Sequence, residues 1–253
     1  MTRYTDVSLV VQGPKKDKSK IAFHNKIDYY KSLFEEIIVS TYDEHATEDV
    51  YDFCQYHNIK LVTQPEDIGR LNYKYNIGYQ TLSTLEGLKA VTKKYVVKHR
   101  TDECYSNLDK LIDLMLQDDE KWVSGTTIFG KRSYYLFHAA DHLFCGKTEK
   151  ILKTFQLTKD NLEKDIMERN YDGDPAAEVT YTKNFIRISG EEPDDSKYAE
   201  QMVRWFNFVP DRELYPFIIR FNHDNGIGSV YTQQGQGFPA TLGLTTIEQA
   251  VIS

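Results

Sequence analysis

Short apolar runs of strand length alternate with longer segments of helical spacing through the first half of the chain, and that alternation leaves few folds open. Val7-Ser8-Leu9-Val10-Val11 reads as a buried strand, stopped by the turn signal Gln12-Gly13-Pro14. Ile21 to Phe34 then reads as a helix with Ile27, Tyr30, Leu33 and Phe34 on one side. Glu36 to Thr41 is expected as a second strand, Thr47 to His57 as a helix capped by Thr47, and Ile59 to Thr63 as a third strand. Asn72 to Thr92 has the length of a long helix. Tyr95 to His99 is a fourth strand entering Arg100-Thr101-Asp102-Glu103, Ser106 caps a helix to Leu116, and Trp122-Val123-Ser124 opens another strand.

Parallel strands need crossover connections, and right-handed crossovers place helices on both faces of the sheet. The expected fold class is therefore α/β, a doubly wound and mainly parallel sheet, with residues 1–125 as a nucleotide-binding half of one domain spanning 1–253. Residues 126–253 read as a less regular half: a strand at Tyr134 to His138, helices near Glu149 to Phe155, Leu162 to Arg169 and Lys197 to Phe206, and a strand at Phe217 to Phe221. Gly226 to Gly243, rich in Gly, Gln and Thr, reads as a surface loop or mobile segment. Ligands of doubly wound sheets sit beyond the carboxyl ends of the strands, where Gln12-Gly13-Pro14, Ser40 to Asp43 and Arg100 to Glu103 all fall.

Composition narrows the class of ligand. A net charge of -7, from 31 Lys+Arg against 38 Asp+Glu, argues against a protein that binds by neutralising many nucleic acid phosphates. It leaves room for a small anion held by a few local groups. No basic segment leads into an apolar stretch near Met1, and no apolar run approaches the ~20 residues of a spanning helix, so a cytoplasmic protein without a transmembrane segment is expected. Cys54, Cys104 and Cys145 form no CxxC pair and read as buried, reduced thiols. Eighteen tyrosines beside two tryptophans exceed what an average core requires. Tyr42, Tyr73, Tyr75, Tyr79, Tyr134 and Tyr135 fall near the cleft segments, where aromatic faces stack on bases and sugars, whereas Tyr29 and Tyr51 read as packing.

The commonest phosphate cradles, GxGxxG after the first strand and GxxxxGK[ST], are absent, as are a GxSxG elbow, HExxH and any Cys/His spacing for metal. What remains is the acid ending a buried strand, Asp102. A carboxylate there can reach Mg²⁺ or Mn²⁺, hard cations that share oxygen ligands with substrate phosphates. The plainer alternative is an Asp that caps its loop beside a salt-bridged Arg100. Lys15, Lys16, Lys18 and Lys20 form a run that is either solvated or steers an anionic donor.

An ordered set of short motifs carries a resemblance. Val7 to Pro14, then Ile38 to Tyr42, then Asn76 with Gln80 and Gly87-Leu88, then Tyr95 to Asp102 resemble the WavE-type family of surface-polysaccharide glycosyltransferases. Ala140 to Gly146 and Ala199-Glu200-Gln201 extend the likeness to residues 6–210. The resemblance implies a GT-A-like fold, a nucleotide-sugar donor and transfer of a sugar to a cell-surface or viral glycan acceptor. It places Gln12, Gly13, Pro14, Thr41 and Asp43 around the nucleoside, with Asn76 and Gln80, one helical turn apart, bonding the donor or the neighbouring loop. It also matches Asp102 to the last carboxylate of a DxD element, as a ligand of Mn²⁺ or Mg²⁺, with His223 a second candidate ligand. The acid that should precede Asp102 is replaced by Arg100, which can itself neutralise a diphosphate. Two acids compete to take the acceptor's proton: Asp141 is favoured, with Glu200 positioning the acceptor or exchanging roles with it. A sugar-nucleotide nucleotidyltransferase and a catalytically silent glycan-binding module stay open as alternatives.

Overall fold

In Leu9 and Val10 the logic of the fold is visible in two residues, because neighbours along a strand face opposite sides of the sheet and here both sides are dry. A computed structural model describes residues 3–13, 26–65, 77–125, 136–169, 173, 176–209, 214, 217–219 and 229–231. Strand β1 (Tyr4–Gln12) runs parallel to β2 (Phe34–Tyr42) on one side and to β4 (Tyr95–Arg100) on the other, and β3 (Lys60–Gln64) adds to β2. Beyond β4 the sheet continues through β7 (Phe144–Lys147), antiparallel to both neighbours, to β6 (Trp122–Gly125) and β8 (Phe206–Val209). The order is β3-β2-β1-β4-β7-β6-β8. A small antiparallel sheet joins β5 (Glu103–Cys104) to β9 (Phe217–Ile219) and β10 (Ser229–Tyr231).

Two apolar layers cover the large sheet. Leu9, Val11, Ile37, Val39 and Val97 pack in one cluster with α1 (Ile27–Leu33), α2 (Glu48–Tyr56) and α4 (Leu108–Gln117). Val10, Ile38 and Val96 pack in the other with α3 (Ile77–Lys89), α5 (Thr148–Glu163) and α6 (Ala177–Ile188), where Trp122, Phe144, Phe155 and Phe185 form an aromatic block. Helix α7 (Tyr198–Trp205) leads directly into β8. Gly87 lets α3 lie close on the sheet, since a Cβ there would stand 2.8 Å from Val10 Cγ1 and 2.9 Å from Ser40 Cβ. The α/β class and the mainly parallel sheet expected from the strand and helix pattern are both present.

Several elements differ from the sequence expectations. The helix expected from Ile21 is described from Ile27 and ends at Leu33, with Phe34 already in β2. Asn107, in left-handed conformation, and not Ser106, stands at the start of α4. Leu136 to His138 form a turn and not the end of a strand, with Phe137 at φ 56°. No separate helix begins at Leu162, because α5 runs on to Glu163 and breaks at Asp165, φ 60°. The second half is also more regular than its sequence suggests, supplying α6, β7 and β8. Tyr51 is exposed and not packed, whereas Tyr29 does pack, its hydroxyl accepting the Leu108 N–H at 2.8 Å. The three cysteines are unpaired and buried. No helix among the described residues is long and apolar enough to cross a membrane.

Candidate functional site

The strand order turns back on itself at β1, whose successor in sequence lies on one side and whose other neighbour is β4, and crevices for ligands open at such reversals. The carboxyl ends of β1 and β4 meet there. Gln12 lies opposite Arg100, the Thr101 N–H donates to the Gln12 carbonyl at 2.9 Å, and Gly13 takes φ 130° against the Thr101 hydroxyl. Only glycine sits there without strain, so the backbone of this corner stays bare.

Behind the crevice lies a chain of charged side chains that should not be buried unless they satisfy one another. Lys98 has no solvent exposure although it stands in an apolar strand, and its ammonium donates to the Asp141 carbonyl at 2.6 Å. Burial lowers its pKa to about 8, opposed by the charge of Asp141. Arg100 forks onto Asp102, with Nε and Nη2 each 2.8 Å from a carboxylate oxygen. Glu103 is fully buried, accepts from the Tyr105 hydroxyl at 2.8 Å and from His142 Nδ1, and lies 3.7 Å from Arg100 Nε. Burial alone would raise its pKa, but the His142 and Arg100 charges outweigh it and hold Glu103 at about 2. With Glu103 ionised, Nδ1 of His142 must be the donor. Burial works against the charge on His142, yet Glu103 and Asp141 win and raise its pKa, so the ring between the two carboxylates holds its proton more firmly than a free imidazole.

Asp141 is the centre of the group. The Ala139 N–H donates to the Thr182 hydroxyl at 3.0 Å and the Ser124 hydroxyl donates to the Ala140 carbonyl at 2.9 Å, which ties the segment to α6 and β6. Gln80 of α3 donates to Oδ2 of Asp141. The other oxygen, Oδ1, is buried without a hydrogen bond, 3.7 Å from His142 Nε2. Burial raises the Asp141 pKa, but His142, Lys98, Gln80 and Arg100 together hold it below the usual carboxylate range. Oδ1 is thus a full acceptor with nothing to accept from. Three more buried polar side chains at the same edge of the sheet share that condition: Gln12 at Oε1, Thr41 at Oγ1 and Gln64 at both ends of its amide. Each buried polar group left without a partner costs on the order of 1–3 kcal/mol, so this edge of the sheet has polar atoms still to be satisfied.

Of the residues expected at the site, the structure brings together Gln12, Gly13, Gln80, Arg100, Asp102 and Asp141. Thr41 ends β2 beside them, and Asp43 is exposed in the short 3₁₀ turn that follows. Glu200 stands apart, 59% exposed on α7 and paired with Arg204 at 2.6 Å. Tyr42 packs edge-on to Tyr79, its hydroxyl donating to the Tyr79 carbonyl at 2.5 Å. Pro14, Asn76, His223, Tyr73, Tyr75, Tyr134, Tyr135 and the lysine run from Lys15 to Lys20 lie outside the described residues, and of Gly226 to Gly243, expected as a loop, the described part Ser229–Tyr231 is strand β10, paired with β9. Both oxygens of Asp102 are occupied by Arg100, and among the described residues no group of three His, Cys, Asp or Glu side chains is placed to hold a metal ion.

Lys98, Glu103, His138, His142, Gln64 and Glu178 were not singled out by sequence. A lysine and histidine inside the strand Tyr95 to His99 were a legible signal, because a charge in such a run must be answered by another. Glu178 gave none. It lies in the first turn of α6, with Oε2 3.8 Å from His138 Nε2.

Comparison with known proteins adds one strong likeness. The model of a family described as WavE lipopolysaccharide synthesis matches residues 7–177. No curated protein matches the chain. Among solved structures, the crystal structure of TarS from S. aureus is similar at 11% identity with a TM-score of 0.45, over 81% of this chain and 35% of that one. The chain thus spans about a third of that structure's length.

Proposed function

The chain belongs to the WavE lipopolysaccharide-synthesis family, and from that premise we propose that it is a glycosyltransferase that moves a sugar from a nucleoside-diphosphate donor to a surface glycan. The observation that carries the proposal is Asp141: an ionised, buried carboxylate with one oxygen unfilled, at the carboxyl edge of a parallel sheet and beside the β1–β4 crevice.

The donor's base and ribose face the ends of β1 to β3, where Gln12, Thr41 and Gln64 offer unfilled polar atoms and Gly13 lets the chain come close. The diphosphate lies towards Arg100. A guanidinium carries five N–H groups, and the fork onto Asp102 uses two, so others are left for phosphate oxygens. Burial opposes the charge of Arg100, but Asp102 and Glu103 more than compensate and raise its pKa, so it is a cation at every working pH. As the bond from the anomeric carbon to the diphosphate lengthens, negative charge grows on the phosphate and positive charge on the sugar ring. Arg100 answers the first, and Asp141, pinned by Gln80 and by the Lys98 contact to its carbonyl, answers the second. Neither group has to reorganise, because both are already held.

Incubation with a panel of UDP-, GDP-, CDP- and TDP-sugars, with water or a glycan extract as acceptor, tests the reading. Wild type is expected to release nucleoside diphosphate from at least one donor, and Asp141→Asn to lose about 10²-fold or more of that rate with its fold intact. Formation of a nucleotide sugar and pyrophosphate from a nucleoside triphosphate and a sugar phosphate would show a nucleotidyltransferase instead. Binding of glycans with no turnover of any donor would show a lectin-like module.

A further inference from the structure

We propose that Glu178 is the group that takes the proton from the acceptor hydroxyl. The inference rests on the transferase reading above and changes who performs its proton transfer, since Asp141 is the acid that the sequence favoured for the task.

Exposure separates the carboxylates of the cluster. The side chain of Asp141 is 4% exposed and that of Glu103 is not exposed at all, so neither is open to solvent as Glu178 is. The Glu178 side chain is 21% exposed. It stands in the first turn of α6, so it reaches the cluster on one side and solvent on the other. Charge separates them as well. Asp141 is tied to Gln80 and faced by His142 and Lys98, and Glu103 is bonded to His142, so the negative charge of each is already balanced by neighbouring groups. His138 Nε2 stands 3.8 Å from Glu178, beyond hydrogen-bond length, and the charges of Asp141, His142 and Arg100 also act on it.

The surroundings give Glu178 the proton affinity that such a role requires. Burial and the Asp141 charge raise its pKa to about 7, against weaker opposition from its own backbone N–H, His142 and Arg100. Tyr181 lies near it on the same helix, and burial keeps that phenol neutral. His138 is pushed down by burial, so it adds no fixed positive charge at neutral pH. A pair of acids whose environments drive them apart divides the labour of acid–base chemistry, one fixed as an anion and one poised to exchange a proton. Asp141 is the first and Glu178 the second. In the transfer, the acceptor oxygen forms a bond to the anomeric carbon, and the bond from that carbon to the diphosphate oxygen breaks. The electron pair leaves with the nucleoside diphosphate. The hydroxyl proton passes to the Glu178 carboxylate, which becomes a neutral acid and returns the proton to solvent after product leaves.

The test compares donor turnover by wild type, Glu178→Gln and Glu178→Asp between about pH 5 and 9 with the same panel of nucleotide sugars. Wild type is expected to lose rate below an inflection near pH 7. Glu178→Gln should lose about 10²-fold or more and also lose the inflection, with partial recovery in Glu178→Asp, while all three keep the same circular dichroism and donor binding. Equal turnover by wild type and Glu178→Gln, or an inflection that survives in the variant, overturns the proposal and leaves the transferase reading standing. Turnover by none of the proteins from any donor contradicts that reading and takes the proposal with it.

Discussion

Asp141 owes its character to its neighbours and not to its place in the sequence. An isolated carboxyl buried to that depth would hold its proton, yet His142, Lys98, Gln80 and Arg100 keep it charged. His142 in turn depends on Glu103, which is anchored by Tyr105 and fully buried. The arrangement is a ladder of dependence, and its lowest rung is Glu103. Its pKa in the fold is about 2, below the ordinary glutamate value of about 4.3, so its contribution to stability is present above the ordinary value and is lost as pH falls towards 2. Chemical denaturation from pH 7 downward should therefore show stability draining by on the order of 2–3 kcal/mol through that window. Glu103→Gln should remove most of the slope and lower stability at pH 7. An unchanged pH profile in the variant would mean that Glu103 is not the anchor.

Among the elements, α3 has the most demanding position. It supplies Gln80 to Asp141 and the Ser83 hydroxyl that receives the Gln12 amide at 2.7 Å, and it does so by lying against the sheet through Gly87. A methyl group at Gly87 has backbone-near atoms of Val10 and Ser40 within 3 Å. Gly87→Ala is expected to cost about 1–3 kcal/mol, a fall of several degrees in melting temperature, although alanine is the better helix former. A melting temperature at or above wild type would show that the helix can withdraw freely. How far each element was legible in sequence follows from how it is stabilised. Strands β1, β2 and β4 are buried on both faces along their centres, so the apolar runs Leu9 to Val11, Ile37 to Val39 and Tyr95 to Val97 announce themselves. Strand β7, Phe144-Cys145-Gly146-Lys147, is four residues long and owes its place to pairing with β4 and β6, which a local pattern does not reveal. Helix α6 carries Val179, Thr180 and Thr182, residues of modest helix propensity, and is held by packing against α5 and the aromatic block. Its concealment hid Glu178 too. Asp102 shows the reverse: its place at a strand end was legible, and the fork from Arg100 adds a partner that spacing had also offered. Asp141 was legible as an acid in a distinctive segment, whereas of the neighbours that fix its charge, Gln80 comes from α3 and Lys98 and Arg100 from β4, with only His142 beside it in sequence.

For the whole molecule, the central relation is between a sheet reversal at β1 and a cluster of charges behind it. The chain is acidic overall, with a net charge of -7, yet at the carboxyl end of β4 Arg100 is paired with Asp102 and Glu103, and Asp141 is held ionised beside them. Bulk charge therefore says little about the ligand, because the field that a bound diphosphate meets is set by the few groups within a Debye length, about 8 Å at physiological salt. The row of unfilled polar atoms at Gln12, Thr41, Gln64 and Asp141 runs along the same edge, and it is this coincidence of vacancy, charge and topology that the account must explain. A crystal structure of the chain soaked with UDP, GDP, CDP and TDP in turn puts that to the most direct test. The account predicts one nucleotide bound at the carboxyl ends of β1 to β4, with its diphosphate within hydrogen-bond distance of Arg100 and its outer phosphate towards Asp141. A nucleotide found elsewhere on the molecule, with that edge empty, would contradict it.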